Sequence, residues 1–349
     1  VIRTLEKKEP IRGKDIYLTI DLSLQKFIYD KVKDKEGAVV VMDPNNGDIL
    51  AFVSMPGYDI NLFTSSLTKK AYSKLINDKR KPLINRVISG QYPPGSTLKP
   101  FVGLVALEEN IINPGTLVNC DGAYELPNHK RPFRCWKKDG HGDTDLSYAL
   151  TQSCDVFFYR VAQLTGIDTI SENLYKYGFG QKTYLDLYGE KTGLIPDRKW
   201  KSKTKQEPWY PGETLNVGIG QGYFLATPMQ LTLATSTLSN DGNTFIPHLL
   251  LSYKDNKTKE LTYIGKIGVS NNNNIFNKDS EEKYITNQIS LDLTHLLRAT
   301  CDAVLVGKNT FLIDDPKLNI RYPELKNSNN KPLKIIWWGS SIKNITKID

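Results

Sequence analysis

The segment QYPPGSTLKPF, residues 91–101, places a serine three positions before a lysine at the start of an apolar run. Positions i and i+3 share one face of a helix, so we expect the Lys99 amine to reach the Ser96 hydroxyl one turn earlier. A serine becomes nucleophilic when a neighbouring base takes its proton, and a lysine removed from water can be that base. A serine before a helix is also among the commonest caps, so this spacing alone leaves both interpretations open.

A second group with chemical potential consists of Cys120, Cys135, His141 and Cys154. Zn²⁺ in structural sites takes four Cys or His ligands in a tetrahedron. The spacing matches no common zinc finger, and a disulfide between the first two cysteines is an alternative in an oxidising compartment. The residues alone leave a metal site and a disulfide open. His129 and His248 have no evident partner and are predicted to lie at the surface or in turns.

Composition indicates a globular protein of 349 residues, 39% of them hydrophobic, with a net charge of +8. Its basic residues are scattered rather than arranged in a stripe with aromatic residues, which disfavours nucleic-acid binding. No run of about 18 apolar residues occurs, so no segment is expected to span a membrane. The chain begins at Val1 rather than at a methionine, and we expect an anchor or signal upstream.

Local patterns predict the elements that must hold these residues. Residues 13–34 favour a short strand and then a helix capped by Asp21, and two β-branched runs around Asn45-Asn46-Gly47 favour a hairpin. Residues 97–110 are apolar almost all round, which predicts a buried helix with Pro100 in its first turn. Further helices are predicted as two short ones within 144–166 that meet near Gln152, and one over 227–239 capped by Thr227.

The segment around Ser96 resembles the Ser-x-x-Lys motif of penicillin-binding transpeptidases and serine β-lactamases. One similar block, GAVVVMDPNNGDILAFVSMPGYDINLF, precedes this segment, and three follow it in the order WKKDGHG, SCDVFFYRVA and KQEPWYPGETLNVGIGQGYFLATPMQL. Residues 1–255 thus resemble the elongation-type class B enzymes of the penicillin-binding protein 2 family. The resemblance implies an α/β (α+β) fold like that of the serine β-lactamases, with helices around an antiparallel sheet.

The resemblance also implies roles for four residues. Ser96 would attack a D-alanyl-D-alanine stem peptide, Lys99 would be its base, and the Ser96 N–H would form half of the oxyanion hole. The second motif, Ser-x-Asn in the superfamily, is Ser153-Cys154-Asp155 here; Ser153 would relay protons and Asp155 would orient the lysine and the substrate. An aspartate at the third position favours a charged amine nearby, which leaves the assignment of Lys99 as the base open.

A Lys-Thr-Gly tripeptide at 191–193 resembles the third superfamily motif, but we reject that assignment. It precedes the VGIGQGY block, whereas the family places its catalytic strand after that block. Pro196 follows closely, and proline disfavours a central strand. We predict a surface turn instead.

For the cysteine cluster, the resemblance implies a zinc site near the catalytic cleft. Some members of the family use Asp, Asp, His and Cys as ligands. The implied ligands here are Cys120, Cys135, His141 and Cys154, with thiolates in place of the two carboxylates. One structural Zn²⁺ would then brace the loop that carries the second motif.

Family membership also implies the surroundings of the protein. The implied partners are peptidoglycan stem peptides, β-lactams, a membrane glycosyltransferase and the rod-shape scaffold, with no nucleic acid. The implied location is the periplasmic face of the bacterial inner membrane.

Residues after about 270 resemble a different family. The asparagine-rich stretch 270–283 predicts a junction. The residues beyond it resemble the reductase domain of the bifunctional riboflavin-biosynthesis deaminase/reductase, and DAVLVG at 302–307 predicts a strand. This resemblance implies NADPH contacts from Thr310 and Asp314. It implies contacts with a phosphoribosyl substrate from Arg298, Leu318 and Arg321.

We therefore predict a hybrid of two incomplete domains. Its parts are a linker remnant at 1–20, an incomplete transpeptidase domain at 21–270, a junction at 271–283 and a partial reductase-like segment at 284–349. The catalytic strand that follows the transpeptidase blocks in the family would be missing or replaced, which would leave the hairpin with an unpaired edge. Three functions stay open: a D,D-transpeptidase, an NADPH-dependent pyrimidine reductase, and an inactive hybrid.

Overall fold

The computed structural model of the chain describes residues 13–63, 68–127, 129–256 and 258–263, together with the backbone of three strands at 303–307, 333–338 and 341–344. The α-helices are α1 (Leu22–Val32), α2 (Lys69–Asn77), α3 (Arg86–Ser89), α4 (Lys99–Glu108), α5 (Leu146–Thr151), α6 (Asp155–Thr165), α7 (Ile167–Lys176), α8 (Arg198–Lys205), α9 (Pro211–Gly218) and α10 (Pro228–Ser239). Within these described residues, no helix has both the length and the apolar composition that crossing a bilayer requires.

The strands come in chain order as β1 (Asp15–Leu18), β2 (Gly37–Met42), β3 (Ile49–Met55), β4 (Val118–Cys120), β5 (Ala123–Tyr124), β6 (Phe133–Arg134), β7 (Gly142–Thr144), β8 (Leu250–Lys254), β9 (Leu261–Tyr263), β10 (Ala303–Gly307), β11 (Leu333–Trp338) and β12 (Ser341–Asn344). The predicted hairpin is confirmed as the antiparallel pair β2–β3. In the described part of the chain this pair forms a sheet of two strands, so β2 has no strand partner on its other edge there.

A second antiparallel sheet joins the two ends of the main body, which is the part of the chain described between residues 13 and 263. Its order is β1-β8-β9, with Asp15 opposite Lys254. Strand β1 falls inside the segment predicted as a linker remnant, yet it pairs with a strand more than 200 residues later. The start of the described chain is therefore part of this body.

Helix α4 is the centre of the main core. Residues Phe101 to Leu107 are all buried, and the helix packs against α6 and α7. The Phe101 ring meets the Phe179 ring edge-on at 5.3 Å between centroids. Lys99, at the first position of α4, is only 1% exposed. A buried charged group is costly unless it is paired, so the partners of Lys99 are decisive for the site.

The predicted helix caps are confirmed. The Asp21 carboxylate accepts a hydrogen bond from the Leu24 N–H at 2.9 Å. Thr227 and Gln230 cap α10 reciprocally. A further cap, which was not predicted, lies at the start of α5, where Asp145 accepts from the Tyr148 N–H at 2.7 Å. Because each cap contributes about 1 kcal/mol, these residues fix where the helices begin. The two short helices predicted within 144–166 are α5 and α6, and the second motif falls between them.

Strands β10, β11 and β12 form a sheet described by its backbone alone. Strand β10 pairs in parallel with β11, and β11 pairs antiparallel with β12. This confirms the strand predicted from DAVLVG. The residues predicted to bind NADPH or the phosphoribosyl substrate all lie outside the described residues: Arg298, Thr310, Asp314, Leu318 and Arg321.

The prediction that His248 lacks a partner is wrong. Its Nε2 atom lies 2.9 Å from Oδ1 of Asp48, and the two side chains are 12% and 25% exposed. This contact with the Asp48 carboxylate raises the pKa of His248. The partners are 200 residues apart in sequence, so no local pattern signals the contact. His129 is exposed, as predicted.

Candidate active site

Ser96 lies on a 3₁₀ turn, Gly95–Leu98, directly before α4. Its side chain does not cap the turn, because the cap position is Pro94 and no side chain makes the capping bond. The Ser96 residue is exposed, and its Oγ atom lies 2.9 Å from the Oγ atom of Ser153. The cap interpretation is therefore wrong, and the hydroxyl faces the second motif.

The turn that carries Ser96 rests against Gly220 of the VGIGQG block. The Gly95 N–H donates to the Gly220 carbonyl oxygen at 2.8 Å. Gly220 has a φ of 69°, and a Cβ atom there would lie 2.1 Å from the Gly95 carbonyl oxygen. Only glycine allows both this conformation and this approach. Two distant blocks of sequence thus fix the position of the nucleophile.

We expect Gly220→Ala to lower the free energy of unfolding by about 3 kcal/mol, from left-handed strain and from the backbone clash. Gly37→Ala is the matched control, because a Cβ there meets nothing within 4 Å. Denaturant unfolding of both variants checks the prediction. Equal stability of the two variants would contradict it.

The buried amine of Lys99 contacts three acceptors. Its Nζ donates to the carbonyl oxygen of Ser153 at 2.9 Å, to the Ser153 Oγ at 3.0 Å and to Oδ1 of Asp155 at 2.6 Å. Three acceptors match the three protons of an ammonium group. Among the described residues the amine makes no hydrogen bond to Ser96, so the predicted direct contact is wrong. Ser153 and Asp155 take its donors instead.

Ser153 joins the other two residues. Its hydroxyl lies between the Ser96 hydroxyl and the Lys99 amine, which gives a continuous hydrogen-bonded chain of three side chains. Ser153 has a φ of 51°, in the left-handed region. Such a conformation costs roughly 1–3 kcal/mol in a non-glycine residue, and persists only where surrounding contacts hold it. The sharp connection between α5 and α6 is what points this hydroxyl at Ser96.

Asp155 is the first residue of α6, where the helix dipole favours a carboxylate. Its Oδ1 binds Lys99, and its Oδ2 accepts from the Trp136 backbone N–H at 3.2 Å. Both carboxylate oxygens are therefore engaged. The structure brings together all four residues predicted for catalysis, and their individual roles stay predictions.

The four predicted metal ligands also converge. The sulfur atoms of Cys120, Cys135 and Cys154 and a ring nitrogen of His141 all lie within 4.8 Å of one another, and all four residues are buried. The His141 Nδ1 atom lies 3.5 Å from the Cys120 sulfur and 3.6 Å from the Cys135 sulfur. All three cysteines are free thiols, so the alternative of a disulfide is not what the structure holds.

The chemistry of this donor set fits Zn²⁺. A tetrahedron with Zn–S bonds of about 2.3 Å has edges of about 3.8 Å, close to the distances seen here. Burial alone would raise the pKa of the Cys135 thiol, but N–H groups of Lys137, Asp155 and Val156 bond to its sulfur, and its pKa is lowered. Burial lowers the pKa of His141, which favours the neutral imidazole that binds metals.

Cys154 responds differently, since burial raises the pKa of its thiol to about 12. A bound cation would deprotonate such a thiol outright. Cys154 stands between Ser153 and Asp155, so a metal held by its sulfur would be linked to the second motif through this side chain.

Fold and site together define a class of protein, the active-serine proteins that carry a Ser-x-x-Lys motif at the start of a buried helix. Residues 37–284 match the sequence model of the penicillin binding protein transpeptidase domain. The chain belongs to this family. Residues 274–341 match the model of the RibD C-terminal domain. The two matches overlap at 274–284, around the predicted junction.

Relatives of known name agree with this assignment. Peptidoglycan D,D-transpeptidase MrdA of Haemophilus influenzae is 47% identical over 250 residues, 72% of this chain and 38% of that protein. Among solved structures, the crystal structure of Pseudomonas aeruginosa PBP2 in complex with WCK 5153 is similar to this chain, with a TM-score of 0.67 and 43% sequence identity. The match covers 74% of this chain and 59% of that one. The chain spans about two fifths of the curated relatives it matches.

A further relative is solved with a partner. The complex between PBP2 and MreC from Helicobacter pylori contains a chain 34% identical to this one, with a TM-score of 0.69. The match covers 82% of this chain and 48% of that one.

The rejected tripeptide at 191–193 lies outside any strand, and Lys191 and Thr192 are exposed, which confirms the predicted surface position; the three residues do not form a turn. Sequence reasoning missed two residues of the site, Trp136 and Gly220. Trp136 stands next to Cys135 in the WKKDGHG block, and that adjacency to a predicted ligand is the one signal that could have found it.

Proposed function

We propose that the chain is the transpeptidase part of a peptidoglycan D,D-transpeptidase that acts in cell-wall elongation. The observation that supports this most strongly is the chain of hydrogen bonds from the Ser96 hydroxyl through the Ser153 hydroxyl to the Lys99 amine, at 2.9 and 3.0 Å. Its substrates would be stem peptides that end in D-alanyl-D-alanine. β-Lactams would acylate the same serine.

In the first half-reaction, the Ser96 Oγ attacks the carbonyl carbon of the penultimate D-alanine. Its proton passes through the Ser153 hydroxyl to the Lys99 amine, which must first have released one of its three protons to solvent, and Asp155 balances the charge that the amine regains. The peptide C–N bond then breaks, and the proton returns through Ser153 to the amine of the departing D-alanine. The product of this half-reaction is an ester of Ser96.

The second half-reaction transfers the acyl group. An amine of a neighbouring peptidoglycan strand attacks the ester carbonyl, and its proton leaves by the same path. The C–O bond breaks and Ser96 recovers its hydroxyl proton. A new peptide bond now joins the two strands.

This function is tested by D-alanine release. The chain is incubated with a peptide that ends in D-alanyl-D-alanine, and free D-alanine is measured over time. We expect release above the spontaneous rate, blocked by prior treatment with penicillin. Release equal to the spontaneous rate would contradict the proposal.

We also propose one structural Zn²⁺ on the cluster of Cys120, Cys135, His141 and Cys154. When bound, the ion would hold three parts of the fold together, because its ligands come from β4, from the segment between β6 and β7, and from the start of α6. Its effect on the reaction is indirect, since Cys154 lies between Ser153 and Asp155. No step of acyl transfer passes through the ion.

Metal content tests this proposal. We expect about one zinc per purified chain. Cys120→Ser should reduce the metal to a small fraction and lower the free energy of unfolding by at least about 3 kcal/mol, because a buried structural ion contributes folding energy directly. Cys301→Ser changes the fourth cysteine of the chain and is the matched control. A wild-type chain without zinc, purified without chelators, would contradict the proposal.

The surroundings of the protein are also proposals. We place it at the periplasmic face of the bacterial inner membrane, with a membrane glycosyltransferase and the rod-shape scaffold as partners. The relative from Helicobacter pylori solved with MreC supports the scaffold. We retain the predicted end of the transpeptidase domain at 270 and the reductase-like segment at 284–349, and we place the start of the transpeptidase domain no later than Asp15, because β1 pairs with β8.

A second candidate function concerns the tail. The match of residues 274–341 to the RibD C-terminal domain and the parallel pair β10–β11 favour NADPH binding there. Titration of NADPH fluorescence against the chain tests it. An unchanged nucleotide spectrum at saturating protein would remove this candidate.

A further inference from the structure

Trp136 lies between the four proposed zinc ligands, called the cysteine cluster here, and the catalytic residues. The reaction described above does not use it. It follows Cys135 directly, and 61% of it is exposed. Its indole N–H nevertheless donates to the carbonyl oxygens of Gln152 at 3.0 Å and Ser153 at 3.1 Å. Its backbone N–H donates to Oδ2 of Asp155 at 3.2 Å. One exposed tryptophan thus binds three residues of the connection between α5 and α6.

Lys99 and Trp136 hold the same two residues. The Ser153 carbonyl oxygen receives the Lys99 amine and the Trp136 indole N–H. Each oxygen of the Asp155 carboxylate receives one of the two as well. Because Ser153 is in the left-handed region, its conformation depends on such contacts. Losing the indole donor would leave Lys99 as the one remaining donor to the Ser153 carbonyl oxygen among the described residues.

Trp136 also contacts the cysteine cluster. It is covalently next to the ligand Cys135, and its ring meets the His141 ring edge-on at 5.3 Å between centroids. Any restraint on Cys135 is therefore passed to the indole group within one residue. The indole ring therefore packs against His141 of the cysteine cluster, while its N–H donates to Ser153 of the second motif.

We infer that Trp136 is a positioning residue for acyl transfer, which holds the Ser153 hydroxyl between Ser96 and Lys99 and connects the cysteine cluster to the second motif. This inference rests on the proposed function. Its specific content is that the indole N–H, rather than the ring, sets the geometry of Ser153.

Trp136→Phe tests this, because it removes the indole N–H and keeps an aromatic ring and the backbone N–H. We expect the rate constant of acylation by penicillin to fall about tenfold, with the dissociation constant of the initial complex unchanged, which corresponds to about 1.4 kcal/mol. We also expect faster hydrogen exchange of backbone amides in a peptide that covers 150–157. Zinc content should stay at the wild-type value.

Trp209→Phe is the matched control. It removes an indole N–H that bonds to the Thr214 hydroxyl at 2.8 Å rather than to a residue of the second motif. We expect it to change neither the acylation rate constant nor exchange in 150–157. Equal effects of the two variants would mean a general loss of stability and would overturn the inference.

Hydrogen exchange separates this inference from the proposed function, since it needs no reaction. Unchanged exchange in 150–157 of Trp136→Phe would overturn the role of Trp136, whatever the activity. A wild-type chain that takes no acyl group would overturn the proposed function. In that case, faster exchange in 150–157 of Trp136→Phe than of the wild type would still support the role of Trp136 in positioning Ser153.

Discussion

Ser96→Ala is expected to abolish covalent labelling by a fluorescent penicillin and to leave the fold intact. The side chain is exposed, and within the described residues its Oγ has one hydrogen-bond partner, the Ser153 hydroxyl. Loss of the nucleophile in an acyl-transfer site costs on the order of 10⁴-fold or more in rate. Loss of one exposed hydrogen bond costs about 1 kcal/mol of stability at most. Gel fluorescence and thermal unfolding measure the two quantities.

Thr97→Ala is the control for this experiment. Thr97 is the neighbouring hydroxyl on the same turn, and its Oγ1 donates to the Pro94 carbonyl oxygen rather than to the second motif. We expect this variant to keep its label. A label of wild-type strength on Ser96→Ala would show that another residue is the nucleophile.

Lys99→Met should impair both chemistry and stability. Labelling should fall by about 10²–10⁴-fold, because the hydrogen-bonded path from Ser96 then ends at Ser153. The free energy of unfolding should fall by about 3 kcal/mol, because Asp155, whose side chain is 16% exposed, loses its cationic partner. Denaturant unfolding and labelling rates measure the two effects.

The double variant Lys99→Met with Asp155→Asn separates these effects. It removes both charges, so we expect most of the lost stability to return while labelling stays as low as in Lys99→Met. A double variant as unstable as Lys99→Met would show that the ion pair is not what stabilises this region. Wild-type labelling of either variant would exclude Lys99 from the proton path.

Most elements around the site could be predicted because their signals are local. Asp21 and Thr227 cap helices through bonds that span three residues, and the all-apolar stretch after Pro100 can only be a buried helix in a chain of this composition. The hairpin follows from β-branched runs around a glycine turn. In each case the residues that form the element are the residues that signal it.

The site was predictable as a set of residues but not as a geometry. The Ser-x-x-Lys spacing suggested direct contact, whereas the acceptors that Ser153 and Asp155 offer take all three donors of Lys99. Nothing in the local sequence says that a buried amine will choose partners more than 50 residues away. The packing of the core determines the partners of Lys99, because it leaves this side chain almost inaccessible to water.

Two more features depend on tertiary contacts alone. Gly220 must be glycine because it meets Gly95, and the two lie in separate blocks of sequence. Trp136 binds Ser153 across an exposed surface, where a tryptophan would not be expected to have a structural role. Sequence patterns describe one element at a time, so contacts between elements escape them.

Peptide mapping by mass spectrometry after treatment with penicillin tests the central claim most directly. The chain is digested, and the position and amount of the acyl adduct are measured. We predict one adduct per chain, on the peptide that contains Ser96, with fragment ions that place it on that hydroxyl. An adduct on a different residue, or a chain that stays unmodified at saturating penicillin, would contradict the claim that Lys99 and Ser153 activate Ser96.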